Sequence, residues 1–305
     1  LVEKDFIYRY EAAGVKGILC TADGEVAHQA QKAFEQNPSV SVRCLVGGER
    51  EGWSDFNAGV EAASDVFERP ADDQATVKTD YMLMYFTSGT TGYPKIAAHD
   101  FTYPLGHYVT AKYWQQVDPD GLHFTISDTG WGKAVWGKIY GQWLCEAAIL
   151  TYDFDKFEAQ DLLPLFAKER ITTFCAPPTM YRFFIKEDIS QYDFSSLKQA
   201  VVAGEALNPE VFQQFYNATG LKLAEGFGQT ETTLTLANLK GTDVKPGSMG
   251  KPTPQYRVDL LLPDGKTAKE GEVGEICLRT GEEKTYGMFS LEGRRIPHRR
   301  YGLAG

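Results

Sequence analysis

Residues 87–95 combine hydroxyl groups, glycines and a lysine in the order Thr-Ser-Gly-Thr-Thr-Gly-Tyr-Pro-Lys, directly after the apolar run Tyr81–Phe86. Gly89 and Gly92 permit positive φ, so successive backbone N–H groups can converge on an anion. The hydroxyl groups add hydrogen-bond donors, and Lys95 adds a positive charge. The segment predicts a loop that follows a buried strand and binds phosphate.

This loop differs from the common P-loop, which has four residues between its glycines and a Ser or Thr after its lysine. Here two residues separate Gly89 from Gly92, and Ile96 follows Lys95. By composition alone, a short run of Ser, Thr and Gly is also typical of a solvated turn. Both interpretations are open on this segment alone.

A second string, Glu-Gly-Phe-Gly-Gln-Thr-Glu-Thr at residues 225–232, follows the strand-like segment 221–224. Phe227 could stack on a base, and Thr230 could donate to a phosphate or carboxylate oxygen. Glu231 could hold a magnesium ion that bridges phosphates. The alternative is a polar turn with a core aromatic residue, because Gly-x-Gly strings are common in loops.

Together the two strings resemble those of the adenylate-forming superfamily, which contains acyl-CoA synthetases, peptide-synthetase adenylation domains and luciferases. Residues 87–95 match its Thr-Ser-Gly-Thr-Thr-Gly-x-Pro-Lys signature, and residues 227–231 match its aromatic-Gly-x-Thr-Glu signature. Residues 202–207 resemble its adenine-contacting turn. The strings at 127–133 and 245–252 resemble the medium-chain acyl-CoA synthetase branch, and the resemblance runs from about Asp5 to Arg279.

The resemblance implies that ATP activates a carboxylic acid to an acyl-adenylate, whose acyl group then passes to the thiol of coenzyme A. ATP, Mg²⁺ and coenzyme A are the implied cofactor and co-substrates. Implied catalytic residues are Lys95, Thr230 and Glu231, with Glu231 as the magnesium ligand. The implied nucleotide-binding residues are Thr87, Ser88, Gly89, Thr90, Thr91, Gly92, Lys95, Gly204, Glu205, Ala206, Glu225, Gly226, Phe227, Gly228, Gln229 and Thr230.

The acid is expected to contact Trp131, Gly228 and Thr230. An arbitrary tryptophan is more often a core residue, but the family's motif around Trp131 faces the acyl pocket. Acetate-specific relatives carry Trp where Gly228 stands. The glycine therefore predicts a medium-chain, branched or aryl acid rather than acetate.

The composition, with 43% hydrophobic and 24% charged residues, is that of a soluble globular protein. A net charge of −10 argues against broad nucleic-acid binding. The five cysteines are scattered, which predicts free thiols in a reducing compartment and no protein-built transition-metal site. No signal peptide or membrane span is predicted, so the expected location is cytoplasmic, with an organellar matrix as the alternative. The expected partners are small molecules, and a homo-oligomer is left open.

Short apolar runs alternate with helix-compatible stretches, which predicts an α/β fold with two α/β subdomains, largely parallel sheets and a partial β-barrel-like subdomain. The predicted strands are 15–20, 40–46, 81–86, 123–126, 147–152, 173–175, 200–202, 221–224, 257–262 and 274–279. The predicted helices are 25–36, 134–145, 159–169 and 209–218.

The expected domain organisation is part of a large AMP-binding domain at 1–240, a β-rich portion at 241–289 and an irregular basic tail at 290–305. The family's downstream Gly-Asp pair and small lysine-bearing domain are not found in the sequence. The resemblance therefore predicts a chain truncated at both ends and impaired in synthesis. The alternatives are a non-catalytic ATP- or acyl-binding remnant and an adenylation domain that loads a carrier protein.

Overall fold

A computed structural model describes residues 1–87, 93–154 and 156–279, together with the backbone of 289–290. The chain forms two compact units, Leu1–Thr76 and Val77–Gly305. Within the described residues, no helix has both the length and the apolar character needed to cross a bilayer. The predicted basic tail lies outside the described residues, apart from the backbone of Ser290.

The first unit is a small parallel α/β structure. Its elements are α1 (Glu3–Ala13), β1 (Gly17–Thr21), α2 (Val26–Glu35), β2 (Val42–Val46), β3 (Ser54–Asp55), α3 (Phe56–Ala62) and a 3₁₀ turn at Asp72–Gln74. The strands pair in the order β1-β2-β3, all parallel. Phe6 and Tyr10 of α1 pack against Ala30 and Ala33 of α2 in the core. No residue from 51 to 76 is buried.

The second unit contains the remaining elements. They are β4 (Tyr81–Thr87), β5 (Lys95–Asp100), α4 (Tyr103–Val109), a π-helical turn (Thr110–Gln115), β6 (Leu122–Thr125), α5 (Lys133–Trp136), α6 (Tyr140–Leu144), β7 (Ala148–Leu150), α7 (Ala159–Leu162), α8 (Leu165–Lys168), β8 (Thr173–Ala176), α9 (Pro178–Phe184), a 3₁₀ turn (Ile189–Gln191), β9 (Gln199–Val202), α10 (Pro209–Thr219), β10 (Leu223–Gly228), β11 (Leu234–Ala237), β12 (Lys251–Pro252), β13 (Val258–Leu261), β14 (Glu275–Leu278) and β15 (Phe289–Ser290).

Its main sheet has the strand order β12-β11-β10-β9-β8-β6-β7 in the described part of the chain. The strands from β7 to β10 in this order are parallel, and β11 and β12 are antiparallel. Every residue of β8 is buried, as expected for a parallel strand covered on both faces. The predicted α/β class with largely parallel sheets is confirmed.

Alternate residues of the central strands enter two different cores. Phe174 and Val202 pack into a large cluster with the helices α7 to α10, whereas Cys175 and Val201 pack on the other face against Trp114. We call the Trp114 side the indole face of the sheet. The two-residue period of a strand places these neighbours on opposite faces.

Two of the predicted helices are wrong, because each is divided into two shorter helices in the structure. The predicted helix 134–145 is split into α5 and α6, because the Gly137 carbonyl accepts hydrogen bonds from the side chains of Gln115, Thr125 and Gln142. The predicted helix 159–169 is split into α7 and α8 at Pro164, which has no backbone N–H to donate.

The predicted strands 257–262 and 274–279 form the antiparallel pair β13–β14, with an isolated bridge between Leu261 and Thr267. The division into two compact units falls between residues 76 and 77. That division does not coincide with the predicted boundary at 240, which stays a prediction.

Candidate functional site

The β4–β5 hairpin holds the two ends of the predicted phosphate loop. Thr87 and Lys95 are register partners, and the Thr87 hydroxyl donates to the Lys95 carbonyl at 3.4 Å. Both residues therefore lie at the loop end of the hairpin. The intervening Ser88, Gly89, Thr90, Thr91 and Gly92 lie outside the described residues.

The predicted adenine turn, Gly204 to Ala206, directly follows β9 and is exposed. Gly204 has φ +112°, which favours glycine over residues with a Cβ. The Glu205 carboxylate accepts from the Thr179 hydroxyl and, at 3.2 Å, from the Arg182 guanidinium. Because these side chains are about half exposed, the ion pair orients Glu205 and adds little stability.

Glu225 of β10 lies beside this turn. β9 and β10 are parallel with Glu225 opposite Val202, and the Leu207 amide donates to the Glu225 carboxylate at 3.4 Å. Burial raises the pKa of this carboxyl, and the hydrogen bond from Leu207 opposes that rise. The backbone amide of Asn238 fixes the Glu225 carbonyl at 3.0 Å. Phe227 follows on the same strand and is half-buried.

Gly228 lies at an irregularity in the β10–β11 pairing, where the register shifts after Phe227. A Cβ at this position would lie 2.6 Å from the Thr233 carbonyl oxygen, a backbone atom. The glycine is therefore needed for the close approach of the two strands.

Thr230 is exposed two residues beyond β10, and its backbone is held by a distant histidine. His99 Nε2 lies 2.7 Å from the Thr230 carbonyl oxygen. Because a carbonyl only accepts, His99 must carry its proton on Nε2. The His99 side chain is 1% exposed on β5, with its ring centroid 4.0 Å from that of Tyr103. The β4–β5 hairpin, through His99, thus positions Thr230.

The predicted acid-binding loop at 127–133 follows β6. Trp131 is 63% exposed, so its indole is available to a ligand and is not part of the core. Two residues later, the buried Lys133 ammonium donates to the Ala203 carbonyl at 2.7 Å. Burial lowers the pKa of Lys133, while Cys175 and Glu205 oppose that effect. Lys133 therefore ties the loop 127–133 to Ala203, the residue before Gly204.

Sequence reasoning missed His99 and the role of Lys133. His99 follows Lys95 in the sequence, but its partner Thr230 is 131 positions away. Lys133 belongs to a quoted string without an assigned role, and its charge predicts exposure rather than burial. The spacing of apolar residues along the sequence does not predict either contact.

Glu231 is half-buried directly after Thr230. In the described residues, no group of three His, Cys, Asp or Glu side chains could hold a metal ion. A single carboxylate nevertheless fits magnesium, which keeps several water ligands and is commonly shared between one or two carboxylates and substrate phosphates. The donor chemistry at Glu231 is thus compatible with a magnesium–nucleotide complex.

These segments meet at the carboxyl ends of parallel strands, where open α/β sheets bind ligands. A glycine turn, a buried glutamate and a Thr-Glu pair at that edge define a nucleotide-binding α/β protein. A family model described as "AMP-binding enzyme" matches residues 1–283, and the chain belongs to this family.

Curated relatives include the mitochondrial acyl-coenzyme A synthetase ACSM3 of Mus musculus, which is 36% identical over 292 residues. Human mitochondrial acyl-coenzyme A synthetase ACSM4 is 36% identical over 295 residues. Each alignment covers 95% of this chain and 49% of the relative. The chain thus spans about half the length of the curated relatives it matches.

Solved structures share the fold. The anthranilate CoA ligase AuaEII in complex with anthranoyl-AMP has a TM-score of 0.83 and 25% identity, and the match covers 96% of this chain and 56% of that one. A benzoate CoA ligase from Burkholderia xenovorans LB400 has a TM-score of 0.77 and 19% identity, with 96% of this chain and 56% of that one covered.

Proposed function

We propose that this chain contributes to the ATP-dependent activation of a carboxylic acid, followed by formation of its coenzyme A thioester. The observation that carries the proposal is the meeting of the matched strings at one edge of the sheet, through the contacts His99–Thr230 and Lys133–Ala203. The relatives named above as acyl-coenzyme A synthetases support the same reaction.

In the proposed reaction, an acid oxygen attacks the α-phosphate of ATP, the bond to pyrophosphate breaks, and an acyl-adenylate forms. The coenzyme A thiol then attacks the acyl carbon, and AMP leaves. Since the acid itself supplies the first nucleophile, the chain has to position anions and stabilise developing charge.

The residue roles are proposals. Thr87, Lys95 and the loop between them bind the β- and γ-phosphates. Gly204–Ala206 and Glu225–Phe227 frame adenine, and Gln229 belongs to the same nucleotide-binding string. Thr230 contacts the α-phosphate or the acid, and Glu231 holds magnesium. Trp131 and Gly228 contact the acyl group.

The location is also a proposal. The curated relatives named here are called mitochondrial, which supports an organellar matrix over the predicted cytoplasm. Magnesium dependence and a place in fatty-acid metabolism have the support of the family resemblance only.

The test is acid-dependent exchange of labelled pyrophosphate into ATP across a panel of acids, with nucleotide binding measured alongside because the sequence predicts impaired synthesis. Acid-dependent exchange at a low rate, with weak or no thioester formation on coenzyme A, is the expected result. Delivery to a pantetheine thiol on a protein would instead identify a carrier-loading enzyme. Nucleotide binding without exchange would identify a binding module, and an absence of both would contradict the proposal.

We expect the unmodified chain to prefer a medium-chain, branched or aryl acid over acetate, and Gly228→Trp to shift the preference toward acetate by roughly tenfold, since a filled pocket discriminates at about this level per methylene. The measurement is pyrophosphate exchange over a chain-length series.

Gly228→Ala is the matched control for this substitution. It introduces the same Cβ, 2.6 Å from the Thr233 carbonyl oxygen, without the indole ring. Any backbone shift is therefore common to both variants, and only the tryptophan variant fills the pocket. Acetate preference in the unmodified chain, or an equal shift in Gly228→Ala, would contradict the pocket-size interpretation.

A further inference from the structure

The turn between β10 and β11 carries Thr230 and Glu231, and its far end is held by a buried tyrosine. The Thr233 N–H donates to the Tyr256 hydroxyl oxygen at 2.8 Å, and Thr233 Oγ1 lies 2.9 Å from the same oxygen. Both residues are buried, with 2% of Thr233 and 6% of Tyr256 exposed. Since a buried backbone N–H needs a partner, the phenol satisfies the group at which the turn rejoins the sheet.

Tyr256 is itself held in place by the segment between β12 and β13. The Thr253 hydroxyl donates to the Leu234 carbonyl at 2.8 Å, and the Tyr256 amide donates to the Thr253 carbonyl at 3.2 Å. The neighbouring Gln255 side chain donates from Nε2 to the Gly106 carbonyl of α4, also at 2.8 Å. The phenol therefore belongs to a segment that is bound to both β11 and α4.

Thr233 also packs closely against two glycines. A Cβ at Gly106 would lie 2.8 Å from Thr233 Cγ2, so α4 approaches the threonine more closely than an alanine would permit. In the same way, a Cβ at Gly228 would lie 2.6 Å from the Thr233 carbonyl oxygen. The two glycines and the phenol thus fix the position of Thr233 at the base of the turn.

The turn is attached to other segments through backbone groups on both sides of Glu231. His99 Nε2 donates to the Thr230 carbonyl before Glu231, and the Tyr256 hydroxyl accepts from the Thr233 amide after it. Burial raises the pKa of the Tyr256 phenol, while its hydrogen bonds with Thr233 oppose that rise. The phenol therefore keeps its proton at neutral pH.

We propose that Tyr256 is a positioning residue for acyl-adenylate formation. Its phenol holds Thr233 and thereby keeps Thr230 and the adjoining Glu231 in place for their ligands. The inference rests on the proposed function, because it takes Thr230 to contact the α-phosphate or the acid. The phenol is buried, so it acts through the turn and not by contact with a substrate. Tyr256 lies outside every string on which the family resemblance rests.

The test measures dissociation constants of the full chain for adenosine and for two stable acyl-adenylate mimics, benzoyl and hexanoyl sulfamoyladenosine. Adenosine reports on the adenine turn, whereas the mimics also engage Thr230 through their sulfamoyl and acyl groups. Tyr256→Phe keeps the ring but loses both contacts with Thr233, so it is expected to weaken binding of the mimics about tenfold. The affinity for adenosine should change by less than about twofold, because the adenine turn shares no printed contact with the phenol.

Thr233→Val removes the hydroxyl contact from the other partner. The backbone N–H still donates to the phenol in this variant, so the affinity for the mimics should fall by a smaller factor, about threefold. Tyr181→Phe is the matched control, because the buried Tyr181 hydroxyl donates to the Val201 carbonyl at 3.0 Å within the large core cluster. It should lower the melting temperature without changing the ratio of the affinities for the mimics and adenosine.

An unchanged ratio in both Tyr256→Phe and Thr233→Val, or an equal change of the ratio in Tyr181→Phe, would overturn the assignment of Tyr256. An equal loss of affinity for adenosine and for the mimics in Tyr256→Phe would show a general loss of folded protein and would overturn it too. If the unmodified chain binds neither mimic, the proposed function itself fails, and the role of Tyr256 with it.

Discussion

Lowering the pH from 7 to 4 is expected to unfold the unit that begins at Val77, because two buried histidines resist protonation in the folded state. Burial lowers the pKa of His123 to about 4 and that of His107 to about 3. His123 is held neutral between the Thr173 hydroxyl, at 2.7 Å, and the Gly137 carbonyl, at 2.9 Å. An imidazolium would lose the hydrogen bond that Nδ1 accepts from Thr173.

The direction of the stability change follows from the unfolded chain, in which both histidines titrate near pH 6.5. Above that pH both states are neutral and the stability is fully present. As the pH falls through 6.5, the unfolded state takes up protons first, so each histidine removes about 1.4 kcal/mol of stability per pH unit. The loss continues down to the folded-state pKa values and totals on the order of 5 kcal/mol by pH 4. That is comparable with the whole stability of many domains.

Urea denaturation at several pH values gives the free energy of unfolding at each pH. The slope of that free energy against pH measures this effect. His123→Gln should lower the stability at pH 7 but flatten the slope between pH 6.5 and 4, because glutamine does not titrate. His28→Gln is the control, since His28 is exposed on α2. A slope that is the same in His123→Gln as in the unmodified chain would show that His123 does not contribute to the acid unfolding.

The central strands could be predicted because fully buried parallel strands are short continuous apolar runs. The runs at 123–126, 173–175 and 200–202 each coincide with a strand to within one residue at each end. The helix interruptions at Gly137 and Pro164 were harder to predict, because the helical spacing of apolar residues continues across them. The Pro164 break follows from a missing N–H group, whereas the break at Gly137 depends on side chains from other elements.

The sequence predicts the segments that form the site. It does not predict the side-chain contacts that hold those segments together. Strings such as 202–207 identify a turn by residue type, and the structure places that turn after β9. Lys133 illustrates the limit. A lysine is expected at the surface, and its burial becomes explicable only when the Ala203 carbonyl is known to face its ammonium group. Such contacts depend on the three-dimensional packing of distant segments.

Replacing His99 with phenylalanine is expected to reduce acyl-adenylate formation by about 5- to 150-fold, the range that corresponds to losing a buried hydrogen bond worth about 1–3 kcal/mol. Phenylalanine keeps a ring to pack against Tyr103 but cannot donate to the Thr230 carbonyl, which His99 contacts at 2.7 Å. Thr230 and the adjoining Glu231 would then lose their fixed position relative to the phosphate loop. Pyrophosphate exchange and affinity for an acyl sulfamoyladenosine measure the loss.

His99→Gln separates positioning from packing, because the glutamine amide can donate from nearly the same place as Nε2. Rescue of exchange by glutamine, with similar melting temperatures for the two variants, is expected if His99 acts by holding Thr230. An equal loss in both variants would instead show that the imidazole ring itself is required. Full activity in His99→Phe would show that the contact is dispensable, and Thr230 would then have to be positioned by the β10–β11 turn alone. In that turn the Thr232 hydroxyl accepts from the Gln229 amide at 3.0 Å, so the local structure alone holds the backbone on either side of Thr230.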